Sequence, residues 1–178
     1  MPQLTYKIAK LWGKTQGSSE KYELNEKIAF PDDKELDFSS NFTGKLTFIR
    51  LKDEISALLN KAQVEIQFTC NRCLKKFSQL VEIPEAEREF FYDDPDFASD
   101  DLSDLFYINK KPMTIDLNEM VRQEIILHFP LIPVCSKSCK GLCPVCGKDR
   151  NQVKCRCGAL KEEDSETYRP FKDLKKLI

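Results

Sequence analysis

Hydrophobic and polar residues alternate most cleanly over Ala62–Thr69. Val64, Ile66 and Phe68 face one way, and Gln63, Glu65, Gln67 and Thr69 the other. A period of two marks a half-buried strand. A second alternation runs from Phe77 to Ile83 through Val81, and Cys70-Asn-Arg-Cys73 stands between the two segments. The pattern predicts a β-hairpin with the cysteine pair in its turn. Strand formers with partial alternation also mark Phe42–Ile49. Tyr6–Leu11 is a short apolar-polar segment, followed by a turn at Gly17-Ser18-Ser19. The N-terminal half therefore reads as β-rich.

The period changes to that of a helix over Asp116–His128. Leu117, Met120, Val121, Glu124, Ile125 and His128 share one side, and Ile126 and Leu127 widen it. Asp116 is placed to cap this helix, with Glu119 reaching back as in a capping box. Pro130 and Pro133 end it and impose an extended strap leading into Cys135. His128, the single histidine, has no acid or nucleophile spaced against it and reads as a helix-end residue. Residues 93–104 hold six aspartates and no basic residue, the composition of a solvated linker. The expected fold is α+β. An antiparallel β-rich body with one main helix spans 1–130, and a ribbon- or knuckle-like cysteine-rich module spans 131–160. A polar linker and a short C-terminal helix occupy 161–178.

Composition narrows the class. The chain has 178 residues, 41% hydrophobic, with twelve phenylalanines, enough for a core that does not need metal to form. A formal net charge of −1 excludes a bulk-basic nucleic-acid binder, so any such contact needs a local patch. The first residues, MPQLTYKIAKLWGKTQ, lack the apolar core of a signal peptide. Nothing downstream approaches the roughly 20 apolar residues of a membrane span. The expected location is cytoplasmic, with no membrane partner and no small-molecule substrate. Thiols stay reduced in that compartment, so the eight cysteines read as metal ligands rather than disulfides.

Those cysteines fall into a lone pair, Cys70 and Cys73, and a run of six: Cys135, Cys139, Cys143, Cys146, Cys155 and Cys157. Cys143-Pro-Val-Cys146-Gly147 is a zinc-knuckle pattern, because glycine after the second cysteine accommodates the left-handed turn. That turn aims backbone N–H groups at the sulfurs. Cys155-Arg-Cys157-Gly158 supplies another close pair nine residues on. The simplest assignment makes Cys143, Cys146, Cys155 and Cys157 one compact site, and joins Cys70 and Cys73 to Cys135 and Cys139. A rival groups Cys135, Cys139, Cys143 and Cys146 locally and sends Cys155 and Cys157 to the hairpin.

Other chemistry fits less well. The spacing Cys139-x-x-x-Cys143-x-x-Cys146 is used for a four-iron cluster in radical enzymes, but the large β/α barrel that carries it has no counterpart here. A redox Cys-x-x-Cys opens a helix, which lowers the thiol pKa, whereas this pair sits between strands. A deaminase site needs a His-x-Glu and a proline before the cysteine pair, and both are lacking. The expectation is a protein without catalytic activity, holding two zinc ions. Around the cysteines stand Lys137, Lys140, Lys148, Arg150, Lys154 and Arg156 against the single Asp149, with Arg72, Lys75 and Lys76 near the lone pair. One or two of these offset the negative charge of a four-thiolate site; the surplus suits RNA phosphates.

Three blocks together carry a resemblance: Cys70-Asn-Arg-Cys-Leu-Lys-Lys-Phe77, the helix from Asp116 with Phe129-Pro-Leu-Ile-Pro133, and Cys135 followed by Cys139-Lys-Gly-Leu-Cys-Pro-Val-Cys-Gly147. With the ending Arg169-Pro-Phe-Lys-Asp-Leu-Lys-Lys-Leu177, they resemble the YceD family of large ribosomal RNA subunit accumulation proteins over residues 64–178. The resemblance implies a role in accumulation or processing of large-subunit ribosomal RNA, with ribosomal RNA or an assembly factor as partner. It attaches no catalytic activity. Some members keep the hairpin pair and the ligands after the strap but lack the later knuckle pairs, which implies two separable sites divided as in the simplest assignment. A protein-interaction scaffold with purely structural zinc and a thiol redox protein are the readings of other classes.

Overall fold

The structure, a computed structural model, describes residues 4–31, 33, 36–94 and 105–157. The acidic run from residue 95 to 104 and the expected linker and helix at 161–178 lie outside the described residues. The chain forms two compact units. One comprises the chain up to Phe68 and from Lys76 to Pro133; the other combines Thr69–Lys75 with the chain from Val134 onward. The turn between the hairpin strands, assigned to the body by the sequence reading, thus groups with the cysteine-rich segment.

The larger unit is built on a five-stranded sheet in the order β2-β3-β4-β5-β6. Its strands are β2 (Ser19–Glu26), β3 (Phe42–Arg50), β4 (Glu54–Thr69), β5 (Lys76–Phe91) and β6 (Phe106–Tyr107). β2–β3 and β3–β4 pair antiparallel, while the two residues of β6 run parallel to β5. The expected antiparallel body therefore carries one short parallel edge. A second sheet pairs β1 (Thr5–Lys7) with β7 (Thr114–Asp116).

The hairpin strands are twice as long as their alternation suggests, because the alternation changes phase inside each. In β4 the buried apolar positions are Ile55, Ala57 and Leu59, then Ala62, Val64 and Ile66. The extra residue is a β-bulge: Thr43 pairs with Gln63 but Lys45 pairs with Asn60, and Lys61 adopts φ 51°. Gly44 faces the bulge, where a Cβ would lie 2.9 Å from Ala62 Cα. In β5 the buried run Val81, Ile83 resumes as Ala86 and Phe90, with Pro84 at the break.

Tyr6–Leu11 is a strand only as far as Lys7; Ala9–Trp12 is the helical turn α1, which buries Leu11. The main helix, α2 (Asn118–Leu127), starts two residues later than expected and makes no capping box. Asp116 Oδ1 accepts the Asn118 backbone N–H at 2.8 Å, but Glu119 turns to Arg122 (3.0 Å) and Gln123 (3.2 Å). Met120, Val121, Glu124 and Ile125 are buried, whereas Ile126 and Leu127 are exposed and do not widen the apolar face. α2 packs on β5, where Arg88 pairs with the buried carboxylate of Glu124 at 2.8 Å. His128 closes the helix with Nδ1 2.8 Å from the Glu124 carbonyl oxygen.

The smaller unit has no strand or helix among its described residues beyond the end of β4. Turns and an isolated bridge between Leu142 and Asp149 make up its backbone. Its buried residues are Cys70, Cys73, Cys139, Gly141 and Cys143, so cysteine sulfur stands where an apolar core would otherwise be.

Candidate metal centres

The first cysteine turn is closed at both ends. Cys70 N–H donates to the Lys75 carbonyl at 2.9 Å, and Leu74 N–H to the Cys70 carbonyl at 2.9 Å. The same two bonds recur in the later pair: Cys143 N–H to Lys148 O at 2.8 Å and Gly147 N–H to Cys143 O at 2.9 Å. Both segments read Cys-x-x-Cys-x-Lys, and they fold as the same knuckle. The left-handed residue after the second cysteine is Gly147 in one (φ 70°) and Leu74 in the other (φ 59°). Arg72 N–H points at Cys70 Sγ from 3.4 Å, the bond that such a turn supplies.

The eight sulfurs fall into two groups. Cys70, Cys73, Cys135 and Cys139 form one, and Cys143, Cys146, Cys155 and Cys157 the other, with the ligand atoms of each group within 4.8 Å of one another. This is the division of the simplest assignment, and the purely local grouping of Cys135 and Cys139 with Cys143 and Cys146 does not occur. In the first group Cys73 and Cys135 Sγ lie 3.7 Å apart, and Cys70 and Cys139 Sγ 3.9 Å. Four sulfurs at about 2.3 Å from one ion stand about 3.8 Å from each other in a tetrahedron, whereas a disulfide needs about 2.0 Å. The spacing fits an ion better than a cross-link.

Electrostatics leads to the same conclusion. The backbone N–H of Cys135, followed by those of Cys73 and Arg72, lowers the Cys70 thiol to about 6. The N–H groups of Cys146 and Val145 lower Cys143 to about 6. Within the same groups, burial and the neighbouring thiols push Cys135 up to about 12. The Cys146 thiol, with burial, does the same to Cys157. Four like charges this close cannot all form without a cation. A bound divalent ion removes that conflict and displaces the remaining protons. Both groups could hold a metal ion, and their all-sulfur donor set is compatible with zinc.

Several supporting residues escaped the sequence reading. Asn151 Nδ2 donates to Cys139 Sγ at 3.4 Å, and its Oδ1 accepts Lys140 N–H at 2.8 Å. Asp149 Oδ1 holds Asn151 through its backbone N–H (2.8 Å) and its side-chain amide (2.7 Å). Arg72 binds the opposite side of the loop, its Nη1 donating to the Cys139 carbonyl at 3.0 Å and its carbonyl accepting Leu142 N–H at 2.9 Å. The Asp-x-Asn triplet at 149–151 is the signal that could have found the first of these, because it is a side-chain-to-backbone turn pattern. The cations Lys137, Lys140, Lys148, Arg150, Lys154 and Arg156 are all exposed.

The YceD family profile, described as large ribosomal RNA subunit accumulation protein, matches residues 60–178. The chain belongs to the YceD family. Both metal-compatible groups and the whole strap lie inside the YceD match. An Arabidopsis thaliana relative, large ribosomal RNA subunit accumulation protein YCED homolog 1, chloroplastic, is 31% identical over 75 residues. That alignment covers 42% of this chain and 23% of the relative. Uncharacterised proteins of Mycobacterium tuberculosis and Mycobacterium bovis are 35% identical over 79 residues, covering 44% of this chain and 37% of theirs. The chain thus aligns with less than two fifths of the length of these relatives. No solved structure matches it. Among the described residues, no helix is long and apolar enough to cross a membrane.

Proposed function

We propose that this protein holds two zinc ions and supports the accumulation of large-subunit ribosomal RNA by direct contact with that RNA. The zinc sites are architecture, not chemistry, and the protein is not an enzyme. It works in the cytoplasm, with ribosomal RNA or a ribosome-assembly factor as its partner. One observation carries the RNA part of this reading. The described residues of the smaller unit hold eight basic side chains against one acidic, a charge of +7 in a chain whose total is −1. Two four-thiolate sites, each formally −2 with a divalent ion, offset four of those charges and leave +3. Residues 158–178 add five acidic and five basic residues and do not alter the balance. Among the described residues, none of the eight cations forms a salt bridge. Unpaired cations on a metal-stabilised scaffold suit a phosphate backbone.

Native mass spectrometry and a depletion experiment test this. Two zinc ions per chain are expected, with one left in the Cys143→Ser/Cys155→Ser variant. Depletion in the host should lower large-subunit relative to small-subunit ribosomal RNA. Reversing Lys148, Arg150, Lys154 and Arg156 to glutamate should fail to restore it. Iron in place of zinc, or full rescue by the reversed variant, would overturn the reading.

A further inference from the structure

Beside the second cysteine group lies a cavity of about 390 Å³, set within the smaller unit. Three of its lining residues are apolar, Pro144, Val145 and Val153, and three are exposed cations, Lys140, Arg150 and Lys154. Val145 and Val153 are about half exposed, in a unit whose described residues include no aromatic side chain. Cys143, Cys155 and Cys157 also line it. One metal ion among the sulfurs takes up a small part of such a volume. What remains pairs a small apolar lining with three cations that lack an acidic partner among the described residues.

From this we infer that the cavity seats one unpaired nucleotide of single-stranded RNA, a proposal that rests on the RNA contact above and gives it a place. The apolar lining takes the face of the base or sugar, and Lys140, Arg150 and Lys154 take the flanking phosphates. Bases in a duplex are stacked and paired, and cannot turn into a cavity of this size; splayed bases of loops and ends can. Acidic side chains alone would satisfy the cations but leave the apolar lining uncovered. Without an aromatic platform the base is held by packing, not stacking, so the site selects unpaired RNA over duplex with little preference among bases.

The test uses the full-length, zinc-loaded protein and a fluorescein-labelled single-stranded RNA decamer of mixed sequence, with the matching duplex as comparison. Anisotropy should show single-stranded binding at least tenfold tighter than duplex binding at 0.1 M salt. Lys140→Ala/Lys154→Ala should raise Kd about tenfold and reduce the salt slope by about 1.4, the loss of two phosphate contacts. Lys21→Ala/Lys45→Ala removes the same charge from exposed positions of the larger unit and should change Kd less than threefold. Both double variants must retain two zinc ions by native mass spectrometry. If either sheds metal, Lys140→Gln/Lys154→Gln and Lys21→Gln/Lys45→Gln provide the same comparison. Equal losses in the two double variants, or equal binding of duplex, would overturn the cavity while leaving RNA contact standing. No binding of either RNA would overturn both.

Discussion

The Asn151 side-chain amide donates to Cys139 Sγ across 3.4 Å, so a residue lying between the ligands of the second cysteine group steadies a ligand of the first. Groups that orient a metal ligand are worth 10- to 100-fold in affinity. Asn151→Ala should therefore speed chelator-driven loss of the first ion about tenfold, although the variant keeps all eight sulfurs. Cobalt substitution gives the readout, through the thiolate-to-metal absorption that remains at each time point. Unchanged release kinetics would show that the amide does not support the site.

Gly141 and Gly147 both lie in the left-handed region, at φ 69° and 70°, but their surroundings differ. A Cβ on Gly141 would meet the Arg72 carbonyl oxygen at 2.9 Å, whereas nothing lies within 4 Å of one on Gly147. Gly147→Ala should cost only the backbone strain, about 1 kcal/mol. Gly141→Ala should cost about 3 kcal/mol, since strain and overlap with fixed backbone combine. Hydrogen exchange of residues 134–157 in the zinc-loaded protein would rank the two.

Leu74 holds the position of Gly147 in the first knuckle, at φ 59° and with 64% of its surface exposed. Its side chain gains little from burial, and the backbone strain is not offset locally. Leu74→Gly should stabilise the zinc-bound unit by up to about 1 kcal/mol, the left-handed penalty less the added freedom of glycine when unfolded. Competition between this variant and the parent for limiting zinc would measure it.

Metal removal should affect the two units unequally. The smaller unit buries four cysteines and a glycine among its described residues and has no aliphatic core to fall back on. The larger one has a core built on Phe42, Phe48, Phe90 and Ile115. A tight chelator should abolish exchange protection over residues 134–157 while the amides of β3 and β4 stay protected. Retained protection in both would mean that zinc is incidental to the fold.

In the larger unit, Glu124 is nearly fully buried and its partner Arg88 about one third exposed. Arg88→Met removes the nearer partner of the carboxylate, leaves only His128 Nδ1 at 3.9 Å, and should cost about 2 kcal/mol, less than a fully buried pair because water reaches the arginine. Adding Glu124→Leu should return most of that loss, and a chemical denaturation cycle would show the coupling.

The hairpin, the helix and the cysteine pairs were legible because each rests on local spacing, but spacing alone allows two divisions of the cysteines, since Cys73 and Cys135 stand 62 residues apart. The central half of the hairpin was hidden for a physical reason. Lys61 and Pro84 each insert one step into the alternation, so a strict period of two ends there although the strand continues. β2 offers only Tyr22 and Leu24 as inward residues between charged neighbours, which is too weak a pattern to read. Asp116 did mark the helix start, but its side chain satisfies Asn118 and leaves Glu119 free for Arg122. Around the sulfurs, the ligands follow from spacing, whereas Asn151 and Arg72 act through contacts made only after the loop has closed. The cavity is of the same kind: its cations are plain in the sequence, but not which of them line it together with Val145 and Val153.

Cys73 and Cys135, 62 residues apart, put their sulfurs 3.7 Å from each other, while Cys146 and Cys155 are only nine apart in the chain. An ion at the first site therefore closes a far longer loop than one at the second. Loop-closure entropy makes that closure costlier by about 1.7 kcal/mol. During refolding from a metal-replete unfolded chain, the second site should fill first as an autonomous step. The first should fill only after the hairpin has brought its two ends together, so its occupancy reports that the whole chain has folded.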